Sequence, residues 1–162
     1  MAFNVGDTLP EATFGTMGAE GPGTLSSADI AALGKAVIFA LPGAYTGTCS
    51  TAHFPSFVRT ADALREKGVE AIYCLSNNDV FTLKAWGDSL GGDAAGITML
   101  ADIGGAFSKG AGMSFTAEPL NLIDRSLRYA MVVESGKITM INVEDNPGVC
   151  DLSAGEAVLE AL

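Results

Sequence analysis

The sequence predicts an α/β fold: a mixed central sheet with helices on both faces and a β-hairpin at its N-terminal end. Three observations carry that prediction. Residues 35–41 (KAVIFAL) and 70–76 (EAIYCLS) are unbroken apolar runs of strand length, as expected for central strands buried on both faces. Each is followed by a stretch with helical spacing of its apolar residues. Near the end, residues 128–134 and 137–143 are joined by Ser135-Gly136, a two-residue hairpin signal.

The elements follow in order. Residues 1–25 are rich in Gly, Pro and Thr, and strand-like pieces around 11–17 predict the N-terminal hairpin. Ser26 and Ser27 can cap a short helix running to residue 33. After the strand at 35–41, residues 41–48 (LPGAYTGT) form a turn-rich loop. A helix is expected from Cys49 to Lys67, with Phe54, Phe57, Val58, Ala61 and Leu64 along one side. Pro55 should kink its first turns, and Gly68 ends it. The strand at 70–76 leads to a helix over 79–90 with Asp79 near its start. A short strand at 98–101 and a short helix at 105–110 come next, then a long irregular stretch. The hairpin at 128–143 closes the sheet, and Ser153-Ala-Gly-Glu156 reads as a capping box opening a last helix to Leu162.

With 162 residues the chain is expected to be one domain, on a prior of roughly 150 residues each. Hydrophobic residues make up 48% and charged residues 17%, which excludes a disordered chain. A formal charge of −10 repels phosphate backbones and anionic lipid, so nucleic-acid and membrane-surface partners are not expected. The longest uncharged apolar run, residues 36–44, is far short of the roughly 20 residues of a spanning helix, and residues 1–20 lack a basic leader. A cytoplasmic protein is expected. Three cysteines without a CxxC, and a single histidine, make neither a disulfide framework nor a metal site.

The chemistry gathers at Cys49. It stands where a buried strand ends, a Gly/Pro loop turns and a helix begins. Free N–H groups at a helix start favour a thiolate, and α/β proteins place their sites at the carboxyl ends of their strands. Thr46 can bring a hydroxyl beside the sulfur. A small buried hydrophobe is the alternative reading of any free cysteine. His53 lies one turn beyond Cys49, and the pair can be read as a Cys–His hydrolase dyad or as a helical histidine that packs beside the pocket. Cys74, inside an apolar strand, reads as a core thiol; Trp86 and the phenylalanines at 54, 57, 81 and 107 read as core residues.

Pro42-Gly-Ala-Tyr-Thr46-Gly-Thr-Cys49 fits the PxxxTxxC signature of the peroxiredoxins, and Ser50-Thr-Ala-His53-Phe-Pro55 resembles their type II, or type 5, subfamily. The resemblance continues through residues 74–87, 97–113 and 125–138, and so spans nearly the whole chain. Gly47 departs from the proline of many members. The resemblance implies a thioredoxin-like fold and a peroxidase needing no cofactor. Its peroxidatic cysteine falls on Cys49, its threonine on Thr46, its arginine on Arg128 and its shielding proline on Pro42. Arg125 is the competing arginine; the family segment places the catalytic one directly before Tyr129. Cys150, in the loop before residue 153, occupies a place like that of the resolving cysteine in single-chain two-cysteine members, or is an incidental loop thiol. The implied partners are hydrogen peroxide and alkyl hydroperoxides, thioredoxin or glutaredoxin with glutathione as reductant, and a second copy in a homodimer. A thioredoxin-class oxidoreductase would need a second cysteine in Cys49-Ser-Thr-Ala52. A non-enzymatic redox sensor would not need Thr46 and Arg128.

Overall fold

The computed structural model describes residues 2–162. The chain runs β1 (Thr13–Gly18), β2 (Gly21–Ser26), α1 (Ser27–Ala31), β3 (Ala36–Ala40), a π-helical turn (Cys49–His53), α2 (Phe54–Glu66), β4 (Ala71–Ser76) and α3 (Val80–Ser89). It continues through β5 (Ile97–Ala101), α4 (Ala106–Gly110), β6 (Ser114–Ala117), β7 (Leu122–Ser126), β8 (Tyr129–Glu134), β9 (Lys137–Val143) and α5 (Gly155–Ala161). Seven strands form one sheet in the order β2-β1-β5-β4-β3-β8-β9. The central strands β3, β4 and β5 are parallel; β1 and β8 flank them antiparallel. This is the mixed sheet with an N-terminal hairpin that the sequence predicts.

Strand alternation divides the core into two layers. Val37 and Phe39 of β3, with Ile72 and Cys74 of β4, meet Phe54, Phe57 and Leu64 of α2, Leu83 and Trp86 of α3, and Val158 of α5. Ala36, Ile38 and Ala40 face the other way, against Phe14, Ile30 of α1, Phe107 of α4 and Met113. Each β3 residue is buried, which is why its sequence shows no polar alternation. The Ser135-Gly136 turn has φ of 47° and 81°, the two positive values that a two-residue hairpin demands.

Four local expectations are corrected. Phe81, expected in the core, stands on the outer side of α3 at 65% exposure. The irregular stretch after residue 110 contains the two-stranded ribbon β6–β7, turned through left-handed Asn121 (φ 53°) and carrying a second left-handed residue at Asp124 (φ 50°). Asp and Asn tolerate that conformation without the glycine that would have marked a turn. The helix expected from Cys49 starts as a wide π-turn, in which the Phe54 N–H reaches back to the Cys49 carbonyl. Pro55 is the second residue of α2 and has no N–H with which to close an ordinary turn onto Thr51. Ser153 does not cap α5: the N-cap is Ala154, and the Ser153 hydroxyl donates instead to Glu144 Oε1 at 2.8 Å. The Gly155 N–H goes to Ser56 Oγ at 2.8 Å. A Cβ on Gly155 would run into Thr60 Oγ1 and lie 2.7 Å from the Ser56 carbonyl oxygen, so glycine is what lets α5 start against α2.

Candidate active site

The site is built at the carboxyl end of β3. The chain leaves the sheet through Leu41 and Pro42, and the Ala44 N–H is anchored on Asn78 Oδ1 at 2.9 Å, just beyond β4. Tyr45 adopts φ of 60°, which turns the loop into the helical segment. Ser50 of the π-turn is held from α3 by the Trp86 indole N–H at 3.0 Å. These anchors fix Cys49, whose exposure is only 1%, beneath the loop.

Arg128 immediately precedes β8, next to β3, and its side chain is buried at 2% exposure. Its Nη2 donates to Cys49 Sγ at 3.3 Å. Nε and Nη2 both donate to the Pro147 carbonyl, at 3.0 and 2.7 Å, and Nη1 reaches His53 Nδ1 at 3.1 Å. The burial of a guanidinium is made tolerable by these partners. Arg125, on β7, does not touch the sulfur; its Nη1 donates to the Pro42 carbonyl at 3.3 Å.

His53 is fully buried, with Nε2 at 3.0 Å from the Ser153 carbonyl. Arginine can only donate, so Nδ1 accepts and the ring proton sits on Nε2. Burial first, and the Arg128 charge second, push its pKa down to about 3. Both ring nitrogens are engaged away from the sulfur, so the Cys–His dyad does not form. The packed, hydrogen-bonded histidine is what the structure contains.

Thr46 lies on the cleft wall, but its hydroxyl donates to the Gly43 carbonyl at 2.7 Å and not to the sulfur. That leaves its oxygen free only to accept further bonds. The cleft, of about 370 Å³, is lined by Pro42, Thr46, Arg128 and Pro147 and by Phe115, Leu120 and Leu122 of the β6–β7 ribbon. Cys74 pairs with Phe39 in the sheet and is fully buried, and burial, with Cys49 nearby, drives its thiol well above the ordinary range. Cys150 is a half-buried free thiol in the loop after β9; burial raises its pKa, only partly offset by Ser153 and Arg128. Among the described residues no group of three His, Cys, Asp or Glu is placed to hold a metal ion.

Three partners escaped the sequence reading. Pro147 and Ser153 act through backbone carbonyls, which carry no residue signature. Glu144 is buried and accepts on Oε1 from the Asp151 and Ser153 N–H groups and the Ser153 hydroxyl, each at 2.8 Å. A carboxylate at the end of a strand gives no hint of that.

The family model described as Redoxin matches residues 4–159. Peroxiredoxin-2E-2, chloroplastic, of Oryza sativa subsp. japonica is 40% identical, over 98% of this chain and 72% of its own. Peroxiredoxin-2D of Arabidopsis thaliana is 36% identical, over 99% of this chain and 98% of its own. Reduced Prx3 of Vibrio vulnificus, solved in complex with hydrogen peroxide, superposes with a TM-score of 0.88 at 40% identity, each chain covered to 98%. The thioredoxin-like architecture, the loop-and-helix setting of Cys49 and full-length similarity at this level lead to one conclusion: the chain belongs to the peroxiredoxins, the thiol-dependent peroxidases.

Proposed function

We propose that the chain reduces hydrogen peroxide and small organic hydroperoxides at Cys49. The observation that carries this is the 3.3 Å contact to Cys49 Sγ from Nη2 of Arg128, a residue that lines the cleft. The guanidinium is a permanent cation in direct contact with the sulfur that attacks the peroxide. The thiolate attacks one peroxide oxygen. An S–O bond forms and the O–O bond breaks; the other oxygen leaves as hydroxide or alkoxide and takes a proton. Cysteine becomes sulfenic acid, and peroxide becomes water or alcohol. Arg128 has five N–H groups, four of which have partners, so Nη1 retains one for the leaving oxygen. The free lone pairs of Thr46 Oγ1 suit it to accept from the peroxide, and Pro42, which also lines the cleft, would help shield it from bulk water.

Cys150 then attacks the Cys49 sulfenic acid, forming a disulfide and releasing water. Support comes from its segment, which is already bonded to the site: Thr48 Oγ1 donates to the Gly148 carbonyl at 2.8 Å. Thioredoxin, or glutaredoxin with glutathione, would reduce the disulfide. If Cys150 stays out of the cycle, glutathione takes its place. The chain would work as a homodimer through the exposed Tyr45, Phe81 and Ile103 around the site loops, and three free thiols suit the reducing cytoplasm. Peroxide consumption with each reductant in turn, by the native chain and by Cys49→Ser, tests the reading. Activity surviving in Cys49→Ser would overturn it.

A further inference from the structure

Behind the sulfur runs a buried chain of hydrogen bonds that the peroxidase reading does not use. Glu144 Oε1 fixes Ser153 through its N–H and hydroxyl. The Ser153 carbonyl takes the His53 Nε2–H at 3.0 Å. His53 Nδ1 takes Arg128 Nη1 at 3.1 Å, and Arg128 Nη2 reaches Cys49 Sγ. The imidazole plane is set independently by packing, with ring centroids 5.2 Å from Phe39 and 5.7 Å from Phe57.

We propose that His53 is a positioning residue of the peroxide reaction: held as the Nε2–H tautomer by Ser153, it aims the Arg128 guanidinium at Cys49. The Pro147 carbonyl grips only one edge of the guanidinium, through Nε and Nη2. A planar group held along one edge can still tilt about it. The Nη1–His53 bond supplies the third point that fixes the plane, and so places both the N–H on the sulfur and the one left for the leaving oxygen. A protonated ring could not serve, since two donors would then face each other. The depth of burial and the neighbouring cation keep the ring neutral. His53 touches neither the sulfur nor the cleft, so it acts entirely through Arg128.

The inference rests on Cys49 and Arg128 doing the chemistry, and the tests separate the two ideas. The first uses no activity at all. Ring 15N shifts of the native protein should show a neutral Nε2–H tautomer between pH 5.5 and 8.5; a proton on Nδ1, or an imidazolium, would overturn the proposal. The second compares two variants in the reaction of Cys49 with hydrogen peroxide. His53→Asn keeps an acceptor near the Nδ1 position but leaves a cavity, whereas His53→Leu fills the space and removes the acceptor. Losing a hydrogen bond to a charged partner predicts a rate roughly ten-fold or more lower for His53→Leu. His53→Asn should stay within about three-fold of native in rate, on the same reasoning, despite lower thermal stability. A role in packing alone predicts the opposite order, and that order would sink the proposal. If Cys49→Ser retained activity, the failure would lie in the site assignment, while the tautomer result would stand by itself.

Discussion

Thr48 Oγ1 donates to the Gly148 carbonyl at 2.8 Å, joining the residue before Cys49 to a residue two before Cys150. The bond closes a separation of 100 residues and ties the two loops that must approach if their thiols are to pair. A disulfide needs Cα atoms within about 7 Å, and both cysteines are free thiols here. Thr48→Val keeps the shape and removes the bond, worth about 1 kcal/mol. Disulfide formation after oxidation should then accelerate several-fold, while the preceding reaction with peroxide stays unchanged. Trp86, bonded to Ser50, is the natural fluorescence probe for stopped-flow measurement. Slower pairing in Thr48→Val would count against the loop as a restraint.

Disulfide mapping decides the fate of Cys150. One equivalent of peroxide should give a Cys49–Cys150 bond within one chain that thioredoxin reduces. A stable sulfenic acid captured only by added glutathione, with Cys150 still free, rules that out.

The two arginines should differ sharply. Arg128→Ala removes the partner of the sulfur and, on the proposed mechanism, the donor to the departing oxygen, so the peroxide rate should fall roughly a hundred-fold or more. Arg125→Ala loses one 3.3 Å bond to the Pro42 carbonyl and should cost only a few-fold. Thr46→Val should lower the rate with little change in melting temperature. A crippled Arg125→Ala beside a mild Arg128→Ala would reverse the assignment.

Cys74→Ser should keep most activity. Its thiol, on β4, lies in the apolar layer between the sheet and helices α2 and α3, and a hydroxyl there without a partner costs about 1–3 kcal/mol. Thermal melts beside peroxidase assays check this; loss of activity in a stably folded Cys74→Ser would show a catalytic part for that thiol.

His53 also predicts a pH dependence of stability. Its pKa falls from 6.5 in the unfolded chain to about 3 in the folded one, so between those values the unfolded chain binds more protons. The stabilising contribution is therefore whole above pH 6.5 and is lost as the pH drops below it, at up to about 1.4 kcal/mol per unit. Urea midpoints of the native protein should fall between pH 6.5 and 5, before most carboxylates titrate. His53→Leu should lack that slope, and an equal slope in both proteins would refute the cause given.

Much of this molecule was legible in its residues because the physics there is local. An apolar run followed by Pro-Gly and then a helical pattern places Cys49 at a strand's carboxyl end without further information. Arg128 needed the family segment, since nothing in its composition separates it from Arg125. The β6–β7 ribbon stayed hidden because its strands are short and its turn uses Asn121 rather than glycine. Ser153 misled for a related reason. Its hydroxyl has the spacing of a cap, but a buried carboxylate 9 residues earlier competes for it and wins. Backbone carbonyls such as that of Pro147 offer the same acceptor whatever the side chain, so no sequence pattern could mark them.

Arg128 holds the sulfur and the Pro147 carbonyl with the same nitrogen, at 3.3 and 2.7 Å. On the reading proposed above, the group that readies the attack also clamps the segment that must swing in afterwards. The two halves of the cycle then cannot be tuned separately. A firmer clamp lengthens the life of the sulfenic acid and gives a second peroxide time to drive it to the irreversible sulfinic state. A looser one protects the cysteine at the expense of its reactivity. The strength of this shared grip would set the oxidant dose at which the enzyme stops turning over and begins to be inactivated by its own substrate.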